Sequence, residues 1–470
     1  MDRIVIELPA AFKDLALAIR ELVAVTQKVA ERGPGGRAVA YAGVELDLSA
    51  ATAAAERAAH GIILRSLDVD AAHVLIEGAR HSRVGRHEQT YYTMAGPVAL
   101  ERSIYRRDGE RNGKVVDAIS LRAGVVADGW LPHTARAMAH QVQRGTPREA
   151  EACAAEIGRL PYSRSSFDRV AHAVGELYIQ RDDDIEAALI EAYEAPAEAR
   201  SISVGLDRVA LPMAEPRPRP AGRPKKGAPK NPITVAWRMA WVGTVTLHDR
   251  DGNALHTLRY GRMPADGAEG LLQAMADDVL QILAKRPRLK VTLLSDGAHD
   301  VVDQLAAQVG HRLDKPPTQL IDFWHLIEKL AAAAAVLGDR DRRLSRWKLS
   351  LLNAEHAAGG ILAELRASGC ETIAVGDNRP VHEAITYLAN HRSRMNYAAA
   401  RAAGLPIGSG NTEATCKTLV SVRMRRAGSR WKVDTGRHVL QLRALALSDR
   451  WEAGIELTLR PLRRAVRAAA

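Results

Sequence analysis

At 470 residues the chain is longer than a single hydrophobic core usually supports, so two or three domains are expected. Lysine and arginine number 66 against 55 acidic residues, and the net charge of +11 with an isoelectric point near 9.7 favours a polyanionic partner, above all nucleic acid. The chain has three isolated cysteines and no apolar run of the roughly eighteen residues that a membrane span needs, which excludes a disulfide framework, a cysteine-rich zinc site and a membrane protein. Acidic residues near the N-terminus argue against a signal peptide, so we expect a cytoplasmic, nucleoid-associated protein.

The first 80 residues are predicted to be mainly helical. Apolar residues from Phe12 to Val29 recur in three- and four-residue steps, which predicts an amphipathic helix over 10–31. This helix either faces a core or, with three heptads, mediates dimerisation. The sequence GPGG at 33–36 ends it, and a second helix is expected after Ser49.

Residues 81–200 are predicted to form a DNA-binding region. Alternation around a central AGP turn predicts a β-hairpin over 88–107. Further on, Thr146 as N-cap and Pro147 at the first helical position predict a helix, and a second helix follows a short link. The pair is similar to a helix-turn-helix, whose second helix would place Arg164, Ser165 and Ser166 on base edges; a plain packing motif is the alternative.

From residue 201 the pattern predicts an α/β domain. Strand-like runs cover 201–213, 234–249 and 253–263, and a helix, a strand, a helix and a strand follow over 266–285, 289–296, 298–309 and 317–323. Three antiparallel strands followed by alternating helices and strands are the element order of a ribonuclease-H-like fold. The basic segment EPRPRPAGRPKKGAPKNP (215–232) is either a solvated linker or an arm that contacts DNA phosphates.

Three acidic residues are candidates for a metal site. Asp207 and Asp296 are predicted to end two strands, where side chains of α/β sheets line the functional crevice. Glu413 lies in PIGSGNTEATCK (406–417), which is not a nucleotide-binding loop because Lys417 is seven residues beyond Gly410. If a helix brings Glu413 beside the strands, the three carboxylates would bind two Mg²⁺ or Mn²⁺ ions, as in-line phosphoryl displacement requires, with no nucleotide cofactor.

Four segments carry a resemblance to a known family. PIGSGNTEATCKTLVSVRMRRAGSRW (406–431), LLSDG (293–297), VGLDRVALPM (204–213) and IDFWHLIEKL (321–330) resemble DDE transposases of bacterial insertion sequences, in the ISKra-type group related to Mutator-like enzymes. With the hairpin, the resemblance spans most of residues 85–435. It implies that Asp207, Asp296 and Glu413 are the catalytic and metal-binding triad.

The resemblance also assigns supporting residues. Asp322 and His325 are similar to an acid-x-x-His motif of related enzymes and would support the metal site or contact DNA; alternatively, Asp322 only caps the helix of His325. The helical pattern over 326–405 is similar to the all-α insertion that interrupts the catalytic fold of some transposases.

A basic cluster after Glu413 is the candidate DNA contact. Lys417 is predicted to share a helix face with Val420 and Met424 and to approach the scissile phosphate. Arginines with an embedded aromatic suit backbone binding and base stacking, although Trp431 also fits a core position. The candidate DNA-binding residues are Lys417, Arg423, Arg425, Arg426, Arg430, Trp431 and, from the helix-turn-helix-like region, Arg164.

These observations predict an α/β protein with a ribonuclease-H-like catalytic domain over 201–325 and 406–435, an insertion over 326–405 and a basic helical tail over 436–470. The expected function is DNA transposition by metal-dependent strand cleavage and 3′-OH strand transfer. DNA, as element ends and target, is the expected partner, bound by a homo-oligomer with no membrane involvement. The alternatives are a nuclease or resolvase without strand transfer, and an inactive DNA-binding regulator.

Overall fold

The computed structural model describes residues 7–31, 39–216 and 233–469, which form two compact units. The first unit contains residues 1–182 and 452–470, and the second contains residues 183–451. The second unit holds all the candidate catalytic residues. The basic segment 217–232 lies outside the described residues.

The first unit combines helices with a five-stranded antiparallel sheet of order β10-β1-β2-β3-β4. Its strands are β1 (His73–Ile76), β2 (Ala79–Thr93), β3 (Gly96–Arg107), β4 (Val116–Asp117) and β10 (Val466–Ala468). Its helices are α1 (Lys13–Ala30), α2 (Tyr41–Leu67), α3 (Ala118–Ala123), α4 (Pro132–Arg144), α5 (Pro147–Glu156), α6 (Arg164–Ile179) and α18 (Trp451–Leu459).

Several predicted elements of this unit are present. The hairpin is β2–β3, and its turn needs Gly96 because the backbone there has a φ of +125°. Helix α5 begins at the predicted cap, where Thr146 and Glu149 form a capping box. Helix α2 begins at Tyr41, before the expected start after Ser49, because nothing after the glycines of 33–36 interrupts it.

The prediction of a helical tail is wrong for residues 466–468. This segment is strand β10, which pairs with β1 in the register Val74↔Ala468. The backbone groups of β1 form a sheet edge that the tail satisfies, and this tertiary pairing outweighs the helical tendency of an alanine- and arginine-rich sequence.

The second unit is built on a mixed five-stranded sheet of order β7-β6-β5-β8-β9. The strands are β5 (Ser201–Pro216), β6 (Ile233–His248), β7 (Ala254–Arg262), β8 (Lys290–Ser295) and β9 (Thr318–Ile321). β5, β6 and β7 are antiparallel, whereas β8 is parallel to β5 and β9 is parallel to β8. The helices that accompany the sheet are α7 (Asp182–Glu191), α8 (Glu269–Lys285), α9 (His299–Gln308), α15 (Gly410–Thr415), α16 (Val422–Met424) and α17 (Val433–Leu447).

Helices cover both faces of this sheet at close range. A Cβ atom on Gly243 would lie 2.3 Å from Sδ of Met275 in α8, and one on Gly261 would lie 2.8 Å from Cγ of Leu440 in α17. Glycine therefore lets each helix approach the strands. A six-residue π-helical segment, Cys416–Ser421, joins α15 to α16.

The strand that carries Asp207 does not end there. β5 pairs with β8 only from Ser201 to Gly205 but pairs with β6 along its whole length to Pro216. Asp207 therefore lies two residues beyond the last pair with β8 rather than at the end of a strand. The alternating sequence predicts a strand but not its partners, so it could not show that pairing with β8 stops before pairing with β6.

Five helices separate β9 from α15, as the pattern over 326–405 predicted. They are α10 (Phe323–Leu337), α11 (Arg340–Asn353), α12 (Ala357–Ala367), α13 (Pro380–His391) and α14 (Tyr397–Ala402). They share a core in which Trp347, Leu330 and Tyr397 are almost fully buried. None of the described helices combines the length and apolar composition that crossing a bilayer requires.

Candidate metal centre

Asp207 faces the helix that carries Glu413. On β5 its side chain lies on the same face as Gly205, and its Oδ2 accepts a hydrogen bond from Sγ of Cys416 (3.4 Å). Its Oδ1 accepts another from the backbone N–H of Arg208 (2.6 Å). Burial raises the pKa of Asp207, and the charge of Asp296 adds to the rise, whereas these hydrogen bonds and His325 oppose it.

Asp296 directly follows β8, and hydrogen bonds to its backbone carbonyl and to its side chain hold it in place. The hydroxyl of Tyr387 donates to its carbonyl oxygen (2.6 Å), and its Oδ1 accepts from the N–H of Ala298 (3.0 Å). Gly297 allows the turn, with a φ of +96°, and a Cβ there would lie 3.0 Å from the hydroxyl oxygen of Tyr387. Burial, followed by the charges of Asp296 and Asp322, raises the pKa of Tyr387, so it remains a neutral donor.

The buried Asp322 and the partly exposed His325 form a hydrogen-bonded pair at the start of α10. Asp322 is fully buried, and its Oδ1 accepts from both the N–H (2.7 Å) and Nδ1 (3.1 Å) of His325. Its Oδ2 accepts from the N–H of Ser409. Burial would raise the pKa of Asp322, but the hydrogen bonds from His325 and Ser409 outweigh it and the pKa is lowered. Helix capping by Asp322 is therefore present, and it leaves the imidazole turned toward Glu413.

Glu413 is placed by close packing of α15 on the sheet. A Cβ on Gly205 would lie 2.1 Å from Oγ1 of Thr412, and Thr412 Oγ1 is hydrogen-bonded to Thr244 Oγ1 at 2.8 Å. The carboxylate, with 52% of its side chain exposed, accepts from Ser409 Oγ (3.2 Å) and lies 3.6 Å from His325 Nδ1.

One group of side chains in the described part of the chain has the geometry to hold a metal ion. Single ligand atoms of Asp322, His325 and Glu413 all lie within 4.8 Å of one another. The predicted set instead combined Glu413 with Asp207 and Asp296, which lie outside this group but close enough for their charges to interact with each other and with His325. The sequence did mark Asp322 and His325, through the acid-x-x-His spacing after β9.

Three further residues contribute to the site without any local sequence signal. Ser409 and Cys416 lie within the glycine-rich segment, and Tyr387 comes from the helical insertion. Their partners are 87, 209 and 91 residues away in the chain, respectively. Short-range spacing cannot reveal such contacts.

The predicted DNA-binding residues do not all reach the surface. Arg423 is buried, with 4% exposed, and its guanidinium lies 5.0 Å from the Trp431 ring centroid. Trp431 donates from Nε1 to the carbonyl of Met424 (2.9 Å) and packs at the edge of a core cluster. Arg426 is half-buried. The exposed members are Lys417, Arg425, Arg430 and, in the first unit, Arg164.

The shared face predicted for Lys417, Val420 and Met424 is wrong. Val420 and Met424 are fully buried, whereas Lys417 is exposed. The cause is the π-helical segment, whose turn holds more residues than an α-turn and shifts the positions that follow.

The comparison with solved structures gives a distant likeness. No protein-family model matches the chain, and no curated protein matches it. Among solved structures it is similar to the "Drosophila P element transposase strand transfer complex", at 12% identity and a TM-score of 0.34, over 66% of this chain and 91% of that chain. Such a score is too low to establish a common fold, and the function proposed for this chain rests on the geometry of its own site.

His325 is expected to titrate with a pKa of about 9 in the metal-free protein. The hydrogen bond to Asp322 raises the pKa above its ordinary value of 6.5, and the charges of Asp322, Glu413 and Asp296 add to the rise. Asp322→Asn should return the pKa of His325 toward 6.5, which NMR of the imidazole ring would measure. Because the folded pKa lies above the unfolded one, the stability that this pair contributes is complete below about pH 6.5 and is lost as the pH rises through about 9.

His140 in the first unit is the internal control for that titration. Burial lowers its pKa, so it should titrate below 6.5 in both proteins. An unchanged His325 titration in the Asp322→Asn variant would show that the buried carboxylate does not hold the proton.

Proposed function

We propose that the chain is a DNA transposase of the DDE type, which cleaves DNA strands in a metal-dependent reaction and joins the exposed 3′-OH to target DNA. One observation carries the proposal. Asp322 and Glu413 come together with His325, and Asp207 and Asp296 lie close enough for their charges to act on His325. Glu413 arrives on a glycine-preceded helix from beyond a helical insertion.

The sheet order supports a ribonuclease-H-like assignment for the second unit. Three antiparallel strands followed by two parallel strands, with helices between them, are the element order expected of that fold. Helices α10–α14 separate β9 from α15, as expected of a catalytic fold that is interrupted before its last acid. The finer assignment to an ISKra-type group rests only on the four sequence segments.

The charge balance supports a cation at the site. Protonated His325 lies beside Glu413, but in the described residues no lysine or arginine side chain forms an ion pair with Asp207, Asp296 or Glu413. Asp207 is partly buried beside a second carboxylate, an arrangement that raises its pKa and that a divalent cation would relieve.

The donor set fits a divalent metal ion. Asp322, His325 and Glu413 would supply oxygen and nitrogen ligands to one ion. Asp207 and Asp296, whose charges interact, would serve a second. Carboxylate ligands suit Mg²⁺ or Mn²⁺, and the imidazole favours Mn²⁺ of the two. When bound, such ions lower the pKa of the attacking water or hydroxyl and stabilise charge on the leaving oxygen.

The remaining residues of the site act by positioning. Cys416 orients the Asp207 carboxylate, Tyr387 fixes the backbone of Asp296, and Ser409 joins Asp322 to Glu413. Exposed Lys417, Arg425 and Arg430 would contact DNA phosphates. The proposed partners are element ends and target DNA, bound by a homo-oligomer without a nucleotide cofactor.

Strand transfer is the expected result that separates this function from its rivals. Inverted repeats in the DNA that flanks the coding sequence supply the substrate, labelled at its 3′ end, and a supercoiled plasmid supplies the target. With Mg²⁺ or Mn²⁺ we expect labelled DNA joined to the plasmid. Cleavage without joining would indicate a nuclease or resolvase, and binding without cleavage an inactive regulator. Glu413→Gln is the control, because it should lose cleavage and joining while binding the repeat normally.

A further inference from the structure

A cleft opens beside the acidic group. It has a volume of about 480 Å³ and is lined by the segment before α15, by the turn between β6 and β7, and by the side chains of Trp324 and Arg401. Its size is within the range of ligand-binding clefts. The mechanism proposed above uses none of these side chains.

Trp324 is an unusually exposed aromatic residue in this cleft. It lies in the first turn of α10, between Asp322 and His325, yet 57% of it is exposed. The Nζ atom of Lys348 lies 5.6 Å from its ring centroid. An exposed indole beside a cation is a surface on which a flat π-system can stack while its negative charge is neutralised.

The segment 408–410 connects the cleft to the acidic group. A Cβ on Gly408 would lie 3.2 Å from Cδ1 of Trp324, so the backbone passes directly against the indole. The next residue, Ser409, donates its N–H to Asp322 and its hydroxyl to Glu413. A ligand stacked on Trp324 would therefore lie next to Gly408, and the residue after Gly408 contacts both carboxylates.

We propose that this cleft binds one unpaired base of the DNA strand whose phosphodiester lies at the acidic group, with the base stacked on Trp324. Lys348 and Arg401 supply the positive charge for the phosphates on either side of that base. Asp251, also on the lining, lies 3.6 Å from the guanidinium of Arg250, which offsets its charge. The placement of the phosphodiester rests on the proposed function; the base-binding cleft itself does not.

The test compares two strands of equal charge in EDTA, where cleavage cannot occur. The probes are a fluorescein-labelled oligothymidylate of about twelve nucleotides and an abasic strand of the same length, followed by fluorescence anisotropy. The wild-type chain is expected to bind the base-bearing strand at least about fivefold more tightly. Trp324→Ala should reduce this preference to less than about twofold, and Trp324→Phe, which keeps an aromatic ring, should retain most of it.

Trp237→Ala is a matched control, because the chain offers a second indole of equal exposure. Trp237 is 58% exposed, with the guanidinium of Arg425 at 5.5 Å, but it does not line the cleft. This variant should keep the preference for bases. Three results would overturn the proposal: equal binding of both strands by the wild type, an unchanged preference in Trp324→Ala, or a loss in Trp324→Phe as complete as in Trp324→Ala.

The outcome is separable from the fate of the proposed function. Glu413→Gln is expected to lose cleavage and keep the base preference, because Glu413 is outside the cleft. A base preference that depends on Trp324 in a chain that never cleaves DNA would uphold the cleft and refute the transposase. Cleavage and joining by a chain that shows no preference for bases would uphold the transposase and refute the cleft.

Discussion

Asp296→Asn is expected to abolish metal-dependent DNA cleavage, by on the order of 10³-fold or more, while DNA binding stays near normal. The loss follows because Asp296 is a proposed metal ligand whose charge acts directly at the reacting phosphate. The substitution is conservative, since an asparagine Oδ1 can still accept the hydrogen bond from Ala298 and the backbone contact to Tyr387 is unaffected. Cleavage of an end-labelled duplex and a parallel mobility-shift titration would measure the two effects.

Asp303→Asn is the matched control for this substitution. Asp303 is an exposed acid on α9, a few residues beyond Asp296, and has no proposed role at the site. It should lower cleavage by no more than about threefold. Cleavage retained in Asp296→Asn at the level of this control would remove Asp296 from the catalytic triad.

Gly205→Ala is expected to weaken both the fold and the activity. The added Cβ would lie 2.1 Å from Oγ1 of Thr412 and 3.0 Å from Oγ1 of Thr244, both of them buried. Overpacking of this kind costs about 1–3 kcal/mol of unfolding free energy. Since Glu413 follows Thr412, a displaced α15 should also lower cleavage, by roughly 10²-fold for a shift of about 1 Å. Denaturant unfolding and the cleavage assay would measure the two losses.

A double-mutant cycle identifies the clash as the cause. Thr412→Ala alone loses the hydrogen bond to Thr244, at about 1 kcal/mol, but it removes the atom that the new Cβ would meet. Gly205→Ala with Thr412→Ala should therefore cost less than the sum of the single variants, by about 0.5–3 kcal/mol. Gly270→Ala is the control: nothing lies within 4 Å of a Cβ there, and in the helix α8 it should stabilise the chain by about 0.5–1 kcal/mol. If the losses of unfolding free energy in the two single variants simply add in the double variant, the clash with Thr412 is not the cause.

The regular elements of the second unit were largely predictable because their determinants are local. The alternation of residues 201–213 and the apolar run of 289–296 predicted β5 and β8, and the turn 250–253 joins β6 to β7 as expected. What the sequence could not provide was pairing between distant segments. The continuation of β5 past Asp207 is set by β6, and the strand at 466–468 is set by the free edge of β1.

The site was predictable only as far as its residue types and spacings. Glu413, Asp322 and His325 were marked by motif, and the structure brings them within 4.8 Å of one another. The catalytic roles of Asp207, Asp296 and Glu413 stay predictions. The grouping itself depends on the close approach of α15 to Gly205, which no local pattern contains.

The π-helical segment Cys416–Ser421 has a consequence for how the chain tolerates insertions and deletions. The hydroxyl of Ser421 donates to the carbonyl of Cys416, five residues earlier (3.3 Å). A π-turn is an α-helix with one residue inserted, and removing that residue would restore ordinary hydrogen bonding while rotating the helix by about 100° at that point. The rotation would either break the hydrogen bond between Cys416 and Asp207 or move the Met424 side chain out of its hydrophobic core. Deletion of a single residue here should therefore give a more regular helix but a less stable or less active protein. The irregular segment is needed to place both Cys416 and Met424.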